Sequence, residues 1–290
     1  MAPVEFVEAW RNGGLFFKPE AGDYSAAVSD VSERARVVVV GGHVRSGTTM
    51  MGQVINTHPD IVAMHELRAF SGLKRTWFGH MRRIKHKNLM PLPLDRAQDR
   101  GNRRRLRTWW FIARYGAFLL PHFWWIRYED VRRALQWANP SARIVGDQSA
   151  QSHSQMFFLS RQPDCRVIIM HRDCRDVAQS TLRLTRTTWA NQGMGKLDAS
   201  AIATRWVRQM ERLDRVNEGV MLVRYEEFVA NHGPAVERLG AFLGVDPAGF
   251  RTDFVRKDSV GKHRDGLTAD ETAAVLKVAG PTLRRMGYVE

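Results

Sequence analysis

The residues with the clearest chemical content lie between Val37 and Asp60, in VVVVGGHVRSGTTMMGQVINTHPD. An apolar β-branched run feeds a glycine-rich turn and then a helix, the layout of a loop that wraps an anion in backbone N–H groups at a helix N-terminus. Gly42 and Gly47 keep the spacing of the nucleoside-triphosphatase loop, G-x-x-x-x-G-K-[ST]. Thr48, however, stands where the phosphate-reaching lysine belongs, and Thr49 takes the hydroxyl position. Arg45 is the only cation within the loop. A second group lies in VIIMHRDCRDVAQS, where an apolar strand ends at Arg172 and Ser180 falls two turns along the following helix. A guanidinium and a hydroxyl so spaced can converge on one anion. Two plainer readings stand beside these: glycines that only permit tight strand–helix packing, and Arg172 paired at the surface with Asp173 or Asp176.

Such groups need a parallel sheet to position them. Apolar strands are expected near 37–42, 61–64, 143–146, 166–170 and 220–224. Helical segments are expected near 48–57, 108–138, 153–161, 174–186, 200–217, 233–243 and 268–286. This alternation implies an α/β fold, a P-loop-like parallel sheet flanked by helices. Ligands of open sheets sit beyond the carboxyl ends of the strands, so the chemistry is expected just after each strand. The chain reads as one α/β domain over 1–290 with a basic, aromatic helical insertion at about 68–140. Within it, MPLPLDRAQDRGNRRRLR reads as a mobile loop.

Hydrophobic content of 44% and charged content of 26% suit a soluble globular protein. Cys165 and Cys174 are too few for a disulfide framework or a metal cage, and read as packing residues in a reducing compartment. The start, MAPVEFVEAWRNGG, lacks the apolar core of a signal peptide, so a cytoplasmic location is expected. No cluster of metal ligands is evident, and no metal is expected. Of the formal net charge of +14, most sits between Arg68 and Arg107, where thirteen Lys or Arg face only Asp95 and Asp99. That block favours an anionic partner: a nucleotide, an acidic acceptor, anionic lipid or nucleic acid. Nucleic acid is disfavoured, because no helix-turn-helix, zinc-finger or RNA-binding signature appears. The next stretch, WWFIARYGAFLLPHFWWI, is too interrupted by Arg114, Pro121 and His122 to span a membrane. It reads as a buried helix pair, with peripheral membrane contact through 68–126 as the alternative.

Four stretches, in order, resemble the PAPS-dependent sulfotransferases, of bacterial type and with a loop and base region similar to protein-tyrosine sulfotransferases. That family moves a sulfuryl group from 3'-phosphoadenylyl sulfate (PAPS) to a hydroxyl or amine. GGHVRSGTT resembles the loop G-x-x-R-S-G-T-T, which implies that Arg45, with Ser46, Gly47, Thr48 and Thr49, holds the 5'-phosphosulfate. The resemblance implies that Arg172 and Ser180 bind the 3'-phosphate. In LVRYEEFVANHGPAVERLGAFLGVD it places Tyr225 near the nucleotide, with Glu226 and Glu227 bracing a helix start. In SVGKHRDGLTADETAAVLKVAGPTLRRMGY, Lys262 and Arg264 would close a loop over the phosphates, with His263 in place of the family's tryptophan. In GDQSA, Gln148 replaces a lysine found in many relatives. The matches leave roughly 65–142 unaccounted for.

Sulfuryl transfer, by analogy with phosphoryl transfer, has a loose transition state that rewards positioning and charge stabilisation, and cations and amides suffice without a metal. The acceptor hydroxyl must lose a proton to a base near the sulfur. His65 and Glu66 stand just beyond the strand DIVAM, and HPDIVAMHELR aligns Glu66 with the base of the protein-tyrosine enzymes. The expected catalytic residues are therefore Glu66 and Arg45, with His65 the alternative base and a capping role for the pair the plainer reading. The acceptor is expected to carry a hydroxyl (glycan, glycolipid, aromatic small molecule or tyrosine) and to be anionic or amphipathic. Two other functions stay open: a P-loop kinase-like phosphotransferase, disfavoured by Thr48, and a non-catalytic nucleotide- or membrane-binding protein, to which Gln148 and His263 lend weight.

Overall fold

In a computed structural model of the chain, residues 36–73, 75–82, 102–150, 155–187 and 197–289 are described. Four consecutive valines with no solvent exposure place β1 (Val37–Gly42) at the centre of a five-stranded parallel sheet. On one side β1 pairs with β3 (Ile144–Gln148), and β3 with β2 (Ile61–His65). On the other it pairs with β4 (Cys165–His171), and β4 with β5 (Val220–Arg224). From β1 the chain crosses to the edge strand β2, returns inward to β3 and then passes to the other side for β4 and β5, and this reversal opens a crevice beyond the carboxyl end of β1.

The helices are α1 (Thr48–Ile55) after β1; α2 (Trp77–Met81), α3 (Asn102–Leu119) and α4 (Tyr128–Ala138) between β2 and β3; and α5 (Met156–Leu159) before β4. Between β4 and β5 come α6 (Cys174–Arg186) and α7 (Ala199–Leu213). After β5 follow α8 (Tyr225–Ala230), α9 (Gly233–Leu243), α10 (His263–Gly266) and α11 (Ala269–Arg285). Because strand side chains alternate, Val38 and Val40 enter an apolar layer with α1, α8 and α9, while Val37 and Val39 face α3, α4, α6, α7 and α11. Side-chain caps start three of the long helices: Asp173 accepts from Arg175 N–H at 2.8 Å in α6, Asp198 from Ala201 N–H at 2.7 Å in α7, and Thr268 and Glu271 form a capping box in α11. Helix α1 has no such cap. Its N-cap is Gly47 in left-handed conformation (φ 91), so its first N–H groups face outward unclaimed by a side chain.

All five expected strands form within two residues of their expected ends. The helical reading of 108–138 needs correction. Helix α3 stops at Leu119, a 3-10 turn carries Pro121, and α4 restarts at Tyr128 with Asp130 accepting Arg127 N–H at 2.8 Å. Pro121 supplies no N–H and fixes its own φ, so one continuous helix fails there. The buried-pair reading holds for Phe111, Ile112, Tyr115, Leu119, Val131, Ala134 and Leu135, but Trp109, Trp110, Trp124 and Trp125 are exposed. Residues 102–107, read as part of a mobile loop, are helical because they continue the α3 register; the rest of that loop, 90–101, lies outside the described residues. Of the segment expected near 153–161, residues 153–154 lie outside the described residues and 155–161 hold only α5; α8 was absent from the expected spans. Cys165 and Cys174 are buried and unpaired, as packing residues should be. No described helix is long and apolar enough to cross a membrane.

The sheet register is tightest where β3 crosses β1. A Cβ on Gly146 would lie 1.9 Å from the Val38 carbonyl oxygen. Gly146→Ala must therefore push β3 off β1, with an expected loss of at least about 3 kcal/mol, or roughly 6–12 °C in Tm. Gly233→Ala, whose new methyl would have nothing nearer than 3.8 Å, should melt within about 2 °C of the parent. Calorimetry showing equal tolerance at both glycines would contradict this register.

Candidate functional site

The loop after β1 is shaped by glycines that admit no side chain. A Cβ on Gly42 would lie 2.4 Å from the Met170 carbonyl oxygen, and one on Gly47 would lie 2.5 Å from the Tyr225 ring. Between them Ser46 N–H donates to His43 O at 3.0 Å, and Arg45 takes a left-handed φ of 70. A non-glycine residue there persists only when its surroundings hold it. Those surroundings come from β4 and α6. Arg45 Nε donates to Ser180 Oγ at 2.9 Å, and Arg172 Nη1 donates to the Arg45 carbonyl at 3.2 Å. The loop and the Arg172–Ser180 pair, 135 residues apart in sequence at Arg45 and Ser180, thus form one cluster.

Arg172 is almost fully buried and is fixed on several sides. Its Nη2 donates to Ser259 O and lies 3.5 Å from Asp176, its guanidinium stacks 4.5 Å above the Tyr225 ring, and its carbonyl accepts from Trp206 Nε1 at 2.9 Å. The pairing with Asp176 that the spacing allowed is therefore real, but it belongs to a buried cluster rather than a surface. Positive charge remains in excess. Partial burial, then the charges of Arg172 and Arg183, lower the pKa of Arg45 below its ordinary value. A guanidinium pressed by two others is a site that an incoming anion relieves.

Asp176 also latches the segment that carries Lys262 and Arg264. Its carboxylate accepts from Gly261 N–H at 2.8 Å, His263 N–H at 2.9 Å and His263 Nδ1–H at 2.8 Å. Burial works to raise this carboxyl, but those bonds and Arg172 hold it down at about 2. His263, in the position of the family's tryptophan, is thus a latch donor. Lys262 and Arg264 are both exposed on the segment. Thr48 is buried in the first turn of α1 and Thr49 is exposed.

Across the crevice, His65 ends β2 and its Nδ1 is hydrogen-bonded to Gln148 Oε1. Since an amide oxygen only accepts, Nδ1 carries a proton toward it, and in the neutral ring Nε2 is then the acceptor. Glu66 and Arg68 both adopt left-handed backbone, with φ of 50 and 59. The cause is Asp147, which was overlooked in sequence: fully buried, it accepts from Leu67 N–H at 3.1 Å and Ala69 N–H at 3.0 Å. Burial raises its pKa to about 7, against the pull of the Ala69, Leu67 and Arg68 N–H groups. A lone acid ending the apolar strand IVGD was the available signal. Glu226 braces something other than its own helix: its Oε1 accepts Asp173 N–H at 3.0 Å, tying α8 to the start of α6. His171, overlooked as well, is pushed down to about 4 by burial and Arg224, and its neutral ring meets Tyr288 Oη at 2.8 Å.

A family model described as "Sulfotransferase family" matches residues 37–248. The sulfotransferase domain of the curacin biosynthetic pathway superposes with a TM-score of 0.55 at 14% identity, covering 84% of this chain and 96% of that one. Looser likenesses include sulfotransferase STF9 of Mycobacterium avium (TM-score 0.47, 17% identity, 90% and 80% covered) and mouse sulfotransferase SULT7A1 complexed with PAP (0.45, 14%, 87% and 84%). No curated protein matches the chain in sequence.

The Asp176 latch gives a pH-dependent expectation. Its folded pKa, about 2, lies below its ordinary value of 3.8, so its stabilisation is present above about pH 4 and is lost as pH falls through about 2. Asp176→Asn should flatten the stability–pH slope in that window, by on the order of 2 kcal/mol. It should also speed amide exchange at Gly261 and His263 by at least about tenfold at neutral pH. Unchanged exchange at those two amides would contradict the latch.

Proposed function

The chain belongs to the sulfotransferase family, and we propose that it transfers the sulfuryl group of PAPS to a hydroxyl acceptor. The observation that carries the donor reading is the Arg45–Ser180 bond: it joins the loop suited to a 5'-phosphosulfate to the Arg172–Ser180 pair suited to a 3'-phosphate. Two buried polar atoms there, Ser46 Oγ and Arg172 Nε, have no hydrogen-bond partner, an unusual state that phosphate oxygens would relieve. In this reading Gly47, Thr48 and Thr49 present N–H groups and Ser46 its hydroxyl to the phosphosulfate, Arg45 grips it, and Tyr225 supports the loop beneath. Lys262 and Arg264 reach over the phosphates on the latched segment.

As the S–O bond to the donor breaks, charge grows on the departing phosphate oxygens, and Arg45 with the loop amides stabilises it where a kinase uses Mg²⁺ and lysine. On the opposite wall the acceptor oxygen forms the new bond to sulfur while its proton passes to Glu66. The Asp147 carboxylate keeps Glu66 in the backbone geometry that aims it into the crevice. His65 is the second candidate base, favoured by the Gln148 bond that leaves its Nε2 unprotonated. Gln148 supplies no charge where many relatives have lysine, so Arg45 carries more of that task. The 68–140 insertion forms the acceptor side in this account.

The test is transfer of label from ³⁵S-PAPS, in EDTA, to acceptors in a host extract. With an acceptor in hand, Glu66→Gln should lower kcat by roughly 10²–10⁴ while leaving affinity for adenosine 3',5'-bisphosphate within a few-fold. Arg45→Ala should weaken both. A fully active Glu66→Gln with an inactive His65→Ala moves the base to His65. Label transfer that requires Mg²⁺, or turnover of ATP instead, would support a phosphotransferase and contradict the proposal.

A further inference from the structure

Two segments of the insertion are zipped together by their backbones. Trp77 N–H donates to Phe123 O at 2.7 Å, and Ile126 N–H donates to Arg75 O at 3.0 Å. The zip is rooted in the protein: Trp77 Nε1 donates to Gly116 O at 2.9 Å, and Ile126 is fully buried. Outward from this root runs a row of edge-to-face rings, with Phe78 5.5 Å from Phe123 and Phe123 5.3 Å from Trp124. The row ends in water. Phe78 is 65% exposed and Trp124 78%, with Trp125 beside them at 53%.

Exposed aromatic surface that is built, rather than left over, marks a place where something docks. The rim says what. Arg75, Arg82 and Arg127 flank the row, all exposed, and none pairs with a described carboxylate. A bilayer headgroup layer presents many phosphates at once and so can neutralise three arginines that no described carboxylate answers. An indole that is half apolar and half hydrogen-bonding, beside unpaired cations, matches the headgroup layer of an anionic bilayer. We propose that the Phe78–Phe123–Trp124 row docks on an anionic lipid surface, seating the rings at headgroup depth and Arg75, Arg82 and Arg127 on lipid phosphates. The inference is independent of the transfer chemistry.

The full chain should co-sediment with phosphatidylcholine vesicles containing about 30 mol % phosphatidylglycerol, at least about tenfold more tightly than with phosphatidylcholine alone. Tryptophan emission should shift to the blue on binding. A Phe78→Ser, Trp124→Ser double variant, altered only at exposed rings, should keep the parent Tm and lose at least about tenfold in vesicle affinity. Absence of binding to the anionic vesicles overturns the proposal, as does a double variant that binds as well as the parent. A concentration-dependent dimer that the same double variant abolishes would overturn it too, assigning the row to a second copy of the chain.

Discussion

Positive charge has to be held at the carboxyl ends of β1 and β4 without a lysine in the loop, and much of the structure answers to that requirement. Guanidinium groups repel one another and resist burial, yet Arg45 and Arg172 sit in one cluster. They stay because each is held by neutral or singly charged partners: Ser180 for Arg45; the Arg45 and Ser259 carbonyls, Asp176 and the Tyr225 face for Arg172. Asp176 and Glu226 against Arg45, Arg172 and Arg183 still leave a net positive charge that suits a multiply anionic ligand. The latch on Gly261 and His263 then follows, since Asp176 spends its remaining lone pairs on the segment that bears Lys262 and Arg264.

The opposite wall obeys a different constraint. Glu66 and Arg68 adopt a backbone that L-residues rarely take, and a buried carboxylate on the neighbouring strand holds them there. Burial drives the Asp147 carboxyl up towards neutrality while the two N–H groups favour its charge. The same strand supplies Gln148, so β3 shapes both candidate bases: Asp147 through the turn after Glu66, Gln148 through the tautomer of His65. A lysine at 148 has no oxygen with which to fix that tautomer.

The strands, and the side chains that gather beyond the ends of β1 and β4, were legible in the sequence because their signals are local. An unbroken valine run declares a central strand, and the eight-residue step from Arg172, just past β4, to Ser180, nearly two turns into α6, brings both to the same end of the sheet. What sequence did not disclose depends on contacts made across the fold. Asp147 reads as an unremarked acid until β2 and β3 are paired and Leu67 and Ala69 reach it. Asp176 looked like a surface partner for Arg172 because the segment that buries it arrives 85 residues later. Pro121 was visible, but the apolar pattern on either side outweighed it, so one helix was expected where a turn divides two.

In the proposed function, the Arg45, Arg172 and Ser180 cluster selects a nucleotide with phosphate at both the 3' and 5' positions. Titration calorimetry of the protein with adenosine 3',5'-bisphosphate and with 5'-AMP, repeated for Arg172→Ala, tests it most directly. The account requires the bisphosphate to bind at least about 30-fold more tightly than 5'-AMP, and Arg172→Ala to erase most of that preference, since a charge-assisted bond contributes roughly 1.5–3 kcal/mol. Equal affinity for the two nucleotides, or a preference that survives Arg172→Ala, would contradict it.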